Sequence, residues 1–112
     1  MVNWQAVAAI FGATAVGLGA YGAHGFKPKD PVYKEVFKTA NVNQFIHGGV
    51  LVAIAPYTRR PNLVGGLATA GTLLFSGACY AVALREHRDF TTRLAPVGGF
   101  MMMGAWLALA LP

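Results

Sequence analysis

The sequence predicts an all-α integral membrane protein: a bundle of four transmembrane helices with both termini on the same side. Three observations carry that prediction. Only 12% of the 112 residues are charged while 55% are hydrophobic, where a soluble domain averages roughly 25% charged. The nine basic and four acidic residues are confined to three short clusters, Lys27 to Lys38, Arg59-Arg60, and Arg85 to Arg93. Four stretches free of charge remain, Met1 to Phe26, Thr39 to Thr58, Pro61 to Leu84 and Leu94 to Pro112. Each approaches or exceeds the about 20 residues a helix needs to cross a ~30 Å hydrocarbon core. The chain 1–112 is therefore expected to form a single transmembrane domain, with spans over about 4–24, 40–57, 62–84 and 94–111.

Span one is expected from Trp4 to His24, with Trp4 as an interfacial anchor. It lacks a basic leading region, and its uncharged run exceeds a typical signal-peptide core, so it is read as a permanent helix. Ala9, Ala13 and Gly17 recur every four residues, as do Ala15, Gly19 and Ala23, stripes that allow close helix packing in lipid. Asp30 followed by Pro31 suits a helix cap and first helical position. The first turns, Val32 to Lys38, set Val32, Val36 and Phe37 against Lys34, Glu35 and Lys38, an amphipathic pattern for the headgroup level. The helix should continue as span two until Pro56 and the Arg59-Arg60-Pro61 turn. Spans three and four begin near Pro61 and Pro96. They carry Gly65, Gly66, Gly71 and Gly77, and Gly98, Gly99 and Gly104, expected at close helix contacts.

The loops joining spans one to two and three to four hold seven basic residues, and the other side holds two. The positive-inside rule puts the two basic loops in the cytoplasm, or in the matrix of a mitochondrion, and both termini opposite. The net charge of +5 and pI near 9.8 are thus assigned to topology and lipid headgroups, not to nucleic acid. The lone Cys79 sits in an apolar span, where no intrachain disulfide is possible and the thiol behaves as a small hydrophobe.

Polar side chains inside a span are costly and mark either function or packing. At 100° per residue, Asn43, Gln44 and His47 fall within about a 100° arc of span two. His24 closes span one at the same membrane surface, so His24 and His47 are the candidate ligands for a cofactor such as a haem, or for a proton relay. Hydrogen bonding between helices is the favoured reading for this group, and a zinc site lacks its third and fourth ligands. Thr72, Ser76 and Tyr80 follow at i, i+4 spacing on span three, a second polar stripe whose serine and threonine hydroxyls are expected to bond to carbonyls of the preceding turn. No metal or cofactor is expected. There is no Gly-rich phosphate loop, no nucleophile and base arrangement, and no carboxylate within a span, which speaks against an enzyme and against a secondary transporter.

The segments Gly19-Ala-Tyr-Gly-Ala-His24-Gly25, Phe37-Lys-Thr-Ala-Asn41 with Phe45-Ile-His47, Thr72-Leu-Leu-Phe-Ser-Gly77 with Tyr80, and Leu94-Ala-Pro-Val-Gly-Gly99 with Gly104-Ala-Trp106 together resemble the transmembrane protein 256 family. This is domain of unknown function family 423, whose members are small uncharacterised multipass membrane proteins, and the likeness is to its eukaryotic branch. The Gly104-Ala105-Trp106 segment departs from the family's direct Gly-Trp. The resemblance implies a four-helix multipass protein and a mitochondrial inner-membrane location. It implies no activity and no catalytic residue. Taken with the small size and packing stripes, the expectation is a non-enzymatic accessory subunit among other membrane subunits, with membrane lipids as its surroundings. The alternative is a small-molecule carrier or transporter built on His24, Asn43, Gln44 and His47.

Overall fold

The computed structural model describes residues 2–88 and 90–112, all helix and connecting turns. Helix α1 is Trp4–His24, and the second helix starts as α2, Val32–Asn43. It then widens into a π-helical stretch, Gln44–Leu51, resumes as the short α3, Val52–Ile54, and closes in a 3₁₀ turn, Ala55–Tyr57. Helix α4 is Pro61–Arg85. A 3₁₀ turn, Phe90–Arg93, leads into α5, Leu94–Ala108.

The four rods run alternately up and down. At one end Trp4 Nε1 donates to Asn62 Oδ1 at 3.3 Å and Arg60 Nε donates to the Pro112 carbonyl at 3.2 Å. At the other end the Lys29 backbone N–H donates to Glu86 Oε1 at 2.8 Å. Both termini therefore lie beside the Arg59-Arg60 turn, and the two more basic loops meet at the opposite end.

Local chemistry sets the element ends. Asn3 accepts the Ala6 N–H at 3.0 Å and caps α1. The helix begins after Pro31 rather than on it, so Pro31 and not Asp30 takes the cap position, and Asp30 Oδ1 accepts the Val32 N–H at 3.0 Å from one residue further out. Pro61 opens α4, where its missing N–H costs nothing. Glu86 ends α4 with φ of 51°, and the following His87 N–H reaches back to the Val82 carbonyl, the closure usually given to glycine. Helix α5 stops at Ala108, short of the expected Leu111, because Leu109, Ala110 and Leu111 bond to carbonyls three residues back and tighten the last turn.

Packing differs along the bundle. Helix α1 is seated through a narrow seam: only Trp4, Ala8, Ala15 and Gly22 are buried. Of the two small-residue stripes, Ala9, Ala13 and Gly17 face outward, while Ala15 and Gly19 turn inward. Helices α4 and α5 make the tightest pair. A Cβ on Gly71 would lie 2.8 Å from the Gly98 carbonyl oxygen, and one on Gly98 would meet the backbone nitrogen of Phe75. Gly22, Gly48 and Gly65 lie under the rings of Phe37, Phe11 and Trp4, whereas Gly66 and Gly77 border open space. The core near the termini joins Trp4 and Ala8 to Leu51, Val52, Val64, Ala68 and Ala105. Near the basic loops Phe26 and Phe37 stack with ring centroids 5.0 Å apart, and Phe37 meets Tyr80 edge-on at 5.0 Å.

Candidate functional site

The π-helical stretch begins at Gln44. Gly48 and Gly49 lie in it against Phe11 and Gly12 of α1, and glycine pairs offer little resistance to a change in winding. Gln44, 5% exposed, becomes the hub. Its Nε2 donates to the Phe11 carbonyl at 2.9 Å and to Thr14 Oγ1 at 2.7 Å, while its Oε1 accepts the Tyr80 hydroxyl proton at 2.6 Å. Asn41, one turn earlier, donates to the Ala15 carbonyl at 2.8 Å and to the Tyr80 oxygen at 3.2 Å. Ser76 Oγ donates to the Ala40 carbonyl at 2.8 Å. One polar network thus ties α1, the second helix and α4 together midway along the bundle. Phe37, against the Tyr80 ring, holds that phenol in place.

Two members of this network, Asn41 and Thr14, do not stand out in the sequence as polar groups within a span. The signal for Asn41 is its i, i+3 spacing from Gln44, which puts both on one helix face. Thr14 carries little signal, since a single hydroxyl in an apolar helix commonly bonds its own preceding turn, as Thr14 does to the Ile10 carbonyl at 2.7 Å.

Asn43, Gln44 and His47 do not point together into the bundle. Asn43 donates to the Thr39 carbonyl at 2.9 Å on its own helix, and His47 Nδ1 lies 3.1 Å from the Asn43 carbonyl oxygen. Asn43 and Gln44 are adjacent, about 100° apart around the helix, so Gln44 turns inward while Asn43 stays on its own helix, and the wider winding from Gln44 to Leu51 displaces His47 from the regular step. The His47 ring instead stands edge-on to Trp106 of α5 at 6.0 Å. His24 is exposed in the last turn of α1. The π-helical stretch meets α1 at Phe11 and Gly12, and the twelve residues from Gly12 to His24 place that histidine roughly 18 Å further along the axis. His24 and His47 therefore share no site within this chain. Ser76 and Tyr80 do meet the second helix. Both hydroxyls bond across helices, and for Ser76 this replaces the expected bond to the preceding turn of α4. Among the described residues no three His, Cys, Asp or Glu side chains come together as a metal site.

Beside the network a crevice of about 190 Å³ opens between α1 and α4. Ile10 and Leu73, both more than half exposed, stand at its mouth, and Thr72, Ser76 and Gln44 lie buried at its base. Thr72 Oγ1 is buried there with no hydrogen-bond partner.

Comparison with known proteins agrees with this architecture. No solved structure matches the chain. A UPF0382 membrane protein of Schizosaccharomyces pombe is 33% identical over 97% of this chain and 98% of its own length. A UPF0382 membrane protein of Staphylococcus saprophyticus is 36% identical over 87% of this chain and 84% of its own, and YwdK of Bacillus subtilis is 32% identical over 90% and 87%. None of these names denotes an enzyme. The family model described as protein of unknown function (DUF423) matches residues 18–99, which hold the whole polar network except Phe11, Thr14 and Ala15; the chain belongs to that family of multipass membrane proteins.

Proposed function

We propose that the protein is a non-enzymatic accessory subunit that packs within the membrane against other membrane proteins. The observation that carries this reading is the outer surface of α1. Ala9, Ala13 and Gly17 face away from the bundle, and Gly17 has nothing within 4 Å of where a Cβ would stand. Lipid tails make no demand for small side chains, whereas a second helix approaching closely does. The short loops support the same reading, because they leave almost no extramembrane mass with which to act on a soluble partner. The inner polar network supports a scaffold as well, since its bonds are spent holding helices together.

The resemblance to eukaryotic members supports a mitochondrial inner-membrane location, with the two basic loops in the matrix, and the end-to-end alignment with the fission yeast protein is in keeping with it. Membranes solubilised in mild detergent and run on native electrophoresis test the proposal. The expected result is a discrete species well above the monomer's mass. Migration solely as a monomer overturns it.

A further inference from the structure

We propose that the cleft between α1 and α2, at the end of the bundle that carries the two basic loops, binds the phosphodiester head of an anionic diacyl phospholipid. The inference is independent of the accessory-subunit reading.

The cleft encloses about 510 Å³, and its two walls differ in chemistry. Helix α1 contributes Gly19, Gly22 and Ala23, small residues that leave the space larger ones would fill. Helix α2 contributes Lys34 and Lys38, whose side chains are exposed, line the cleft and stand one turn apart on one helix face. Lysine meets phosphate as a compact point charge with three donors, so two of them at this spacing can share one phosphate. Lys34 spends one proton on the Phe26 carbonyl at 3.2 Å, which draws its ammonium toward the α1 side and leaves the rest for a ligand.

The inner end of the cleft is of another kind. Asn41 lines it, but both protons of its amide are committed, to the Ala15 carbonyl and to the Tyr80 oxygen. Asn41 therefore has no donor for an anion, and its neighbour in the lining, Val42, is apolar. The phosphate is thus confined to the lysines at the rim, and whatever follows it inward must be uncharged. A diacyl phospholipid has that order, from phosphate through glycerol esters to hydrocarbon, whereas a soluble phosphate ester would leave the inner half of the cleft unfilled. The level agrees, since Lys34 and Lys38 belong to the amphipathic turns facing the headgroups and Ala23 is one residue from the end of α1.

Charge selects the head. Glu35 lines the same cleft, so the lining holds two positive charges against one negative. That surplus complements the single charge of a phosphodiester, while the carboxylate repels the second charge of a phosphomonoester. An ammonium head is disfavoured as well, because this end of the molecule already carries seven basic residues against four acidic ones and attracts anionic lipid.

The test uses the full-length protein in phosphatidylcholine vesicles, photolabelled with phosphatidylglycerol that bears a diazirine near the head of one acyl chain. Phosphatidylcholine and phosphatidylethanolamine carrying the same group are used in parallel, and peptide mass spectrometry locates the adducts. Phosphatidylglycerol is expected to label Gly19 to Ala23 and Lys38 to Val42 about fivefold more than either other lipid, the effect of one net charge at a membrane surface. Lys34→Gln combined with Lys38→Gln should remove that excess. Lys27→Gln combined with Lys29→Gln takes the same charge from the neighbouring loop, outside the cleft, and should leave the excess in place. Ala23→Trp fills the cleft with a side chain suited to the interface, without changing its charge, and should also remove the excess, which keeps the test decisive if the lysine variant fails to fold. Equal labelling by the three lipids, loss of the excess in the Lys27 and Lys29 variant, or its survival in either cleft variant would each overturn the proposal. Displacement of the probe by water-soluble glycerol phosphate would overturn it too, and would assign the cleft to a soluble phosphate ester.

Discussion

Gln44 uses every proton of its amide on α1 and receives one from α4, so removing it breaks three interhelical bonds at once. Gln44→Leu should lower stability by about 2 kcal/mol, three interhelical bonds at the modest value such bonds have in membranes. Equilibrium unfolding in mixed micelles measures this. Asn43→Ala, which loses only a bond within its own helix, should stay within about 0.5 kcal/mol of the parent. Thr72→Val is expected to match or exceed the parent in the same assay, since it removes an unpartnered buried hydroxyl. The sequence exposed part of this site. Gln44, Ser76 and Tyr80 stand out because polar residues in an apolar span are few enough to notice. Asn41 lies beside the charged start of its helix, and its inward direction depends on how α2 packs on α4. The pairing of His24 with His47 is suggested by loop length alone and fails on depth along the axis.

At the scale of elements, α4 and α5 touch backbone to backbone through Gly71 and Gly98. Gly98→Ala should therefore separate the helices and lower stability by about 1 to 3 kcal/mol, as overpacking does. Gly66→Ala, where the added methyl meets nothing, should be neutral or stabilising by up to about 1 kcal/mol, the helix-propensity gain over glycine. Thermal unfolding of the two variants side by side separates contact glycines from spare ones. The sequence shows that glycines are abundant in both helices, but not which of them face a neighbour, since that is a matter of rotation about each axis. Nor does it show the π-helical stretch. Periodicity arguments assume a fixed step per residue, and the wider winding against Phe11 and Gly12 is a tertiary outcome.

For the whole molecule, the clustering of charge is enough to predict four helices and their alternation, because three charged clusters leave only four places to cross. Lengths are less uniform than the apolar stretches suggest. Among the described residues only α1 and α4 are long and apolar enough, each alone, to qualify as spans, and the 15 residues of α5 reach about 22 Å. The bilayer must thin beside α5, or the flanking turns must extend its reach. Sidedness is checked by single cysteines at Lys29 and Arg60 in a Cys79→Ser background: in sealed vesicles an impermeant thiol reagent should reach them from opposite sides, with Lys29 on the cytoplasmic or matrix face. The central claim, that the outward face of α1 meets another membrane protein, is tested most directly by a photoreactive amino acid at Ala13 in native membranes, with one at Phe100, which is 70% exposed on α5, for comparison. The account predicts a discrete protein adduct from Ala13 and only lipid adducts from Phe100; lipid adducts alone from Ala13 would contradict it.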